Sequence, residues 1–418
     1  MSLDKLLLKN IFSLFSIQAV NYLLPLLIIP LLVRVLGIEL FGIYILILTV
    51  IQYFIIASEY GFNLTATRKI AINIEDKQRV STFFFAVISA KLLITGIGFI
   101  AMNVALLLLP QYQQYTLYLN LGYLSVLGSV FFPIWLYQAY EKMIWIAICN
   151  FISRVAGIVL IFWMVTAKSD LMLAIVIQSI MPIIAALIAL VYCFSSGMVQ
   201  WTKISFRDVV EELKDSWDIF VSTSFVSLYT TSIPLILGFF AGAGSVGVFS
   251  AADKIRIALQ SVINPVSQAI YPRLSKLMIK EEESALKLIR VMFKFFVLPF
   301  FGFSLVVMLL ADELIRLFYG ENLMEAASVL KILIWIPPVV AIANLLGIQI
   351  MLPRGMKKQF SLTYIICGVI GLPLLFIGAY FLAAWGVSIA SVVIEIIVVS
   401  MFWYFISASS NPFKLFDK

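Results

Sequence analysis

Residues 92–109 read LLITGIGFIAMNVALLLL. Eighteen residues pass without a charge. As an α-helix, the run is about 27 Å long, close to the ~30 Å hydrocarbon core of a bilayer. Residues 295–310, FFVLPFFGFSLVVMLL, have the same character. Strands of a membrane barrel alternate apolar with polar over about 10 residues, and neither run does so. Both runs are therefore read as membrane-spanning helices.

The rest of the chain agrees with that reading. Of 418 residues, 63% are hydrophobic and 12% charged, and mean hydropathy is +1.07. A soluble domain is roughly 45–50% apolar and about 25% charged. The composition excludes a soluble enzyme, a disordered chain, a collagen-like fibre and a secreted disulfide scaffold. Cys149, Cys193 and Cys367 each sit inside an apolar run, without metal or redox spacing, and are read as packing residues. The sequence has no histidine, which removes histidine acid–base catalysis and most zinc and haem sites.

Twelve spans are expected, near 11–33, 41–60, 81–109, 116–138, 143–165, 171–194, 217–240, 247–271, 291–310, 327–351, 359–382 and 386–407. The first is read as a span rather than a cleavable signal, since no small-residue cleavage site follows it. Lys and Arg set the orientation. One side collects 20 of them, from Lys5 and Lys9 through Lys203, Arg207 and Lys214 to Lys414 and Lys418. The other side holds Arg34, Lys168, Arg316 and Lys331. This bias places both termini in the cytoplasm. It also explains the net charge of +7 without a nucleic-acid partner. Two cytoplasmic stretches read as surface helices. One starts at Ser205 with Asp208 three residues on, as in a capping box; the other covers 275–294.

The 201–216 linker divides the chain into residues 1–200 and 217–418, with six spans on each side. Ile29-Pro30-Leu31-Leu32 is echoed by Ile233-Pro234-Leu235-Ile236, and a glycine-containing turn follows each. Six spans per half make this a parallel repeat, with its axis along the membrane normal. The expected fold class is an all-α integral membrane protein, with 12 transmembrane helices in two pseudo-symmetric six-helix lobes around a central cavity.

Charges inside spans are costly, roughly 2.5–3.5 kcal/mol each at the bilayer centre, so they mark function or internal pairing. Lys91, Arg154, Asp253, Lys254, Arg256 and Glu395 lie there. At 100° per residue Asp253, Arg256, Gln260, Asn264, Ser267 and Tyr271 share an arc of about 80°. Pairing of Asp253 with Arg256 one turn on is the competing reading. Gln18 and Asn21 form a smaller polar set, and Asn150 pairs with Arg154 at i,i+4. Lys91, Arg154 and Arg256 are the candidate substrate-binding cations. Gln18, Asn21, Asn150, Gln260, Asn264 and Tyr271 are the candidate polar lining. Cations suit an anion, Arg suits phosphate oxygens, and amides and tyrosines suit sugar hydroxyls. Asp253 and Glu395 are candidates for proton or sodium coupling. No G-x-x-x-x-G-K-[ST] phosphate loop occurs, so no ATP site is expected.

Several stretches together resemble the Wzx-type O-antigen and polysaccharide flippases of the MOP superfamily. They are Asn21-Tyr22 with Pro25 and Pro30, Arg34-Val35-Leu36-Gly37 through Phe41-Gly42, and Glu59-Tyr60-Gly61-Phe62-Asn63-Leu64-Thr65-Ala66-Thr67-Arg68. Further along come Pro133-Ile134-Trp135, Gln138 to Met143, Ala252-Asp253-Lys254-Ile255 and Tyr271-Pro272-Arg273-Leu274-Ser275. Ala139 stands where that family often has Gly. The resemblance implies a flippase, not an enzyme, in the bacterial inner membrane. It would move undecaprenyl-diphosphate-linked oligosaccharide repeat units by alternating access, in a fold like that of the multidrug and toxin extrusion transporters. Lys91, Arg154 and Arg256 would contact diphosphate and sugar, and Glu59 with Arg68 would form a gate ion pair or hold helices together. Membrane lipids, a polysaccharide polymerase and a chain-length regulator are the implied partners. A drug or metabolite exporter of the same fold is the first alternative. A multi-span O-antigen polymerase is the second, disfavoured by a longest outer loop, 311–326, that is short and acidic.

Overall fold

The structure is a computed structural model that describes residues 28–409. Among them every regular element is helical. Residues 28–36 are helical, and named helices follow. They are α1 Ile38–Glu59, α2 Phe62–Ile72, α3 Lys77–Leu108, α4 Thr116–Gly122, α5 Leu124–Phe131, α6 Ile134–Ala139, α7 Met143–Met164, α8 Leu171–Ser195 and α9 Phe206–Thr231. Next come α10 Ile233–Gln260, α11 Ile263–Lys280, α12 Glu282–Met292, α13 Leu298–Leu309, α14 Ala311–Tyr319, α15 Glu325–Leu333, α16 Ile336–Asn344 and α17 Lys357–Ser407. Nine helical segments among the described residues are long and apolar enough to cross a membrane.

The last segment, α17, has 51 residues. A straight helix of that length would run about 76 Å, more than twice the hydrocarbon thickness. It does not run straight. Ala383 leaves helical geometry at φ 47°, ψ −130°. A Cβ placed on Gly378 would lie 2.6 Å from the carbonyl oxygen of Gly386, so the chain has turned back on itself. Two antiparallel helices meet there through glycine backbones, the close approach that small residues allow in membrane helices.

Contacts divide the chain into two compact units. One is Val35–Leu235; the other is Ile236–Lys418 together with residues up to Arg34. α9 runs from inside the expected linker through residue 231 of the expected seventh span, 217–240, whose remainder lies on α10 beyond a break at Ser232, and contacts group α9 with the first unit. Along α9, Lys69 of α2 bridges Glu212 at 2.8 Å and Asp215 at 2.6 Å. Thr65 meets Ser216 at 2.7 Å, and the rings of Tyr60 and Phe220 stack 4.4 Å apart. The sequence division at 201–216 followed hydropathy and the repeat, and these side-chain pairs lie outside both signals.

Each unit has its own buried centre. In the first, Phe62, Phe84, Trp135, Leu136, Tyr137 and Cys149 pack together. Gly128 of α5 sits so close to Pro182 and Ile183 of α8 that a Cβ would meet their backbone at 2.6 Å. All three cysteines are buried and free. In the second unit, the expected span 247–271 is interrupted. α10 kinks at Gly242, with φ 76°, and ends at Gln260, and α11 begins at Ile263. The single polar arc expected from Asp253 to Tyr271 therefore falls on two helices, not one.

Candidate functional site

A cavity of about 210 Å³ lies within the first unit. Glu59 and Asn63 reach it from either side of a helix break. Tyr60 and Gly61 are both left-handed there, at φ 46° and 80°. The break ends α1 after Glu59 and restarts the helix at Phe62, placing both polar side chains at the cavity. Gly61 has a second constraint, since a Cβ on it would lie 2.7 Å from Ile219 of α9.

Lys91 of α3 is 2% exposed and also lines the cavity. Its Nζ donates to the carbonyl oxygen of Ser129 at 2.7 Å. In an unbroken helix that carbonyl would accept from the N–H four residues on. That residue is Pro133, which has no N–H. Proline thus ends α5 and frees an acceptor, and lysine satisfies it. The Ser129 hydroxyl donates to Val126 O at 2.7 Å and lies 3.3 Å from the Ser58 hydroxyl. Glu59 lies within Coulombic reach of Lys91.

α7 contributes Asn150, Ser153 and Arg154. Asn150 donates through Nδ2 to Ile146 O at 2.9 Å, and Ser153 donates to Asn150 O at 3.1 Å. α8 contributes Gln178, Met181 and Pro182. Pro182 repeats the pattern of Pro133, since it leaves the Gln178 carbonyl without its helical donor. Phe132 and Ile134 add apolar wall.

The cavity therefore joins four residues that the sequence singled out: Lys91, Arg154, Asn150 and Glu59. Arg68 is not among them. It is exposed, and among the described residues no ion pair joins it to Glu59. Glu59 ends α1 and Arg68 lies on α2, beyond the break at Tyr60–Gly61. Asn63, Ser129, Ser153 and Gln178 were missed. Gln178 carried a usable signal, as the one amide in an apolar run from Leu171 to Tyr192.

The second unit holds the remaining candidates. Arg256 pairs with Asp253 at 2.6 Å and also bonds the Gln260 side-chain oxygen. The intrahelical pairing considered from the sequence is thus the one seen. Glu395 of α17 lies within Coulombic reach of Arg256. Asn264 is exposed and Tyr271 half-buried. Gln18 and Asn21 lie outside the described residues. Gln349, fully buried, was not anticipated; its Nε2 donates to the Ser267 hydroxyl at 2.9 Å and to the Ser267 carbonyl at 3.1 Å. Among the described residues no cluster of three His, Cys, Asp or Glu is arranged to hold a metal ion.

A family model described as "Polysaccharide biosynthesis protein" matches residues 7–278. The chain belongs to that family. Within this polysaccharide biosynthesis family, it is 38% identical over 407 residues to the "Putative O-antigen transporter" of Escherichia coli (strain K12), covering 97% of this chain and 98% of the relative. It is 29% identical over 392 residues to the protein of the same name in Shigella dysenteriae, covering 94% and 98%. The fold is that of a solved lipid II flippase, MurJ, in an inward closed conformation. That match has a TM-score of 0.76 at 14% identity and covers 95% of this chain and 88% of MurJ. A multidrug resistance MATE transporter of the MOP superfamily matches with a TM-score of 0.68 at 17% identity, over 94% and 96% of the two chains. The resemblance to Wzx-type flippases of that superfamily is upheld. The chain is a multi-pass membrane protein of the polysaccharide biosynthesis family, and the two curated relatives are named as transporters.

Proposed function

We propose that this protein is a flippase that carries undecaprenyl-diphosphate-linked O-antigen repeat units across the bacterial inner membrane by alternating access. The observation that carries the reading is the polar cavity of the first unit. A buried lysine, an arginine and several amides line a pocket inside a chain that is otherwise 63% hydrophobic. Such groups are costly in a membrane unless a cavity or partner uses them. The names of the two curated relatives support the same substrate class.

Nine segments, the return pass of α17, α9 and the run 11–33 add up to twelve spans in two six-helix lobes around a central cavity. By sequence repeat the lobes are 1–200 and 217–418. Both termini face the cytoplasm, as the lysine and arginine bias supports. Arg256, paired with Asp253 in the second unit, is the third candidate cation after Lys91 and Arg154, and proton or sodium coupling is assigned to Asp253 and Glu395. Neither ATP nor another cofactor is required. A polysaccharide polymerase and a chain-length regulator are the partners.

The test begins with gene deletion in a polysaccharide-producing host. The lipid-linked repeat unit should accumulate in the inner leaflet and surface polymer should disappear. Wild-type protein should restore it. Arg154→Ala and Arg256→Ala should each reduce restoration at least about ten-fold, since a charge-assisted hydrogen bond is worth roughly 1.5–3 kcal/mol. If single repeat units reached the surface in the deletion strain while long chains vanished, the protein would act in polymerisation instead. Asp253→Asn with Glu395→Gln, in the same assay, should abolish any dependence on the ion gradient.

A further inference from the structure

The cavity sets hydrogen-bond acceptors beside its two cations, Lys91 and Arg154. Glu59 brings a carboxylate to it. Asn150 gives one Nδ2 hydrogen to Ile146 O, which leaves its oxygen and one N–H. Pro182 leaves the Gln178 carbonyl without its helical donor. A diphosphate offers acceptors only and would satisfy none of these acceptor oxygens. Lys91, the most buried cation, is held at 2.7 Å by the Ser129 carbonyl and lies within reach of Glu59. Its ammonium is thus committed to a main-chain acceptor of the wall.

The side chains of Asn63 and Gln178 line the same cavity, and among the described residues neither amide has a partner in the chain. An amide both donates and accepts, and so does a hydroxyl or an acetamido group. A volume of about 210 Å³ has room for about seven waters at ~30 Å³ each, the scale of one sugar ring rather than an oligosaccharide. Phe132, Ile134 and Met181 supply the apolar wall that a ring face needs.

We infer that this cavity is a sugar-reading subsite, which takes one uncharged pyranose ring of the repeat unit through Asn63, Asn150 and Gln178 and does not hold the diphosphate. The inference rests on the flippase reading and adds which part of the substrate this unit recognises. Lys91 is then a positioning residue, pinning the 128–134 wall against which the ring lies.

The experiment compares two ligands on the purified full-length protein. One is undecaprenyl diphosphate; the other is the same lipid carrying the host's repeat unit. Affinity is measured for wild type and for Asn63→Ala and Gln178→Ala. The isosteric Asn63→Asp and Gln178→Glu keep volume and remove the donor. Each variant should reduce the preference for the sugar-bearing lipid by about ten-fold, the discrimination lost when a site built to bond a hydroxyl loses its partner. An unchanged preference overturns the subsite. So does parallel weakening of both ligands in the isosteric pair, which would place the diphosphate here. A wild-type protein that moves the sugar-bearing lipid yet binds both ligands equally overturns the subsite alone. One that does not move it overturns the flippase reading.

Discussion

Lys91 illustrates how a residue can be legible while its partner is not. A lysine ten residues into an apolar run stands out in any reading of the sequence, as do Arg154 and Asn150. The group that receives Lys91 is a main-chain carbonyl, freed because Pro133 follows Ser129 by four positions. No side-chain pattern announces it. Lys91→Met removes the donor from a buried acceptor and from the neighbourhood of Glu59. The expected cost is about 1.5–3 kcal/mol, the range for a hydrogen bond to a charged group. Lys91→Arg retains a donor and should cost less. Thermal unfolding of the two purified variants against wild type checks the order. Equal midpoints for Lys91→Met and wild type would mean that the Ser129 carbonyl is satisfied some other way. Arg256 teaches the converse lesson. Its intramembrane charge was visible, but geometry was needed to show that Asp253 one turn away takes it up.

At the scale of elements, the helix start at Ser205 was legible because it is local. Serine followed three residues later by aspartate is a capping box, and the structure has it. The Ser205 N–H donates to Asp208 Oδ2 at 2.7 Å, and the Asp208 N–H donates to Ser205 Oγ at 3.3 Å. The Ser205 backbone N–H, and after it the Ser205 hydroxyl, hold the Asp208 carboxyl below the usual carboxylate range. The sign of the pH dependence follows. A depressed folded value means the cap contributes fully above about pH 4, the ordinary aspartate value, and is lost as pH falls from there through the lower folded value. Amide hydrogen exchange at residues 206–210, taken relative to the intrinsic rate at each pH, should therefore quicken on acidification. Ser205→Ala should quicken it about five-fold at neutral pH, matching a cap worth about 1 kcal/mol. Exchange in Asp208→Asn that still tracked pH in this range would assign the effect to another group. The stop at Gln260 and restart at Ile263 also carry a local signal, since Pro265 leaves the Ser261 carbonyl without its helical donor, but hydropathy runs straight through them and hides it.

For the whole molecule, the class of fold was legible from hydropathy because the bilayer imposes it, since each crossing must be a helix long enough to span. Grouping of helices was not legible. α9 joins the first unit through Tyr60, Thr65 and Lys69, whose partners lie some 150 residues away in sequence. Charge bias and the reversal at Ala383 together make a strict topological prediction. Lys203 and Lys357 belong to the lysine-rich side, whereas Glu321 and Leu382 fall on the other. All four are exposed, and the native cysteines are all buried. Single cysteines at these four positions, in a background with Cys149, Cys193 and Cys367 changed to Ala, can be labelled in whole cells with a membrane-impermeant maleimide. Glu321→Cys and Leu382→Cys should react before permeabilisation, and Lys203→Cys and Lys357→Cys only after it. The 357/382 pair is the decisive one. If both react on the same side, the 51-residue helical stretch does not cross the membrane twice, and the count of twelve cannot stand. If they react on opposite sides, the glycine-to-glycine contact at 378 and 386 lies between two antiparallel crossings.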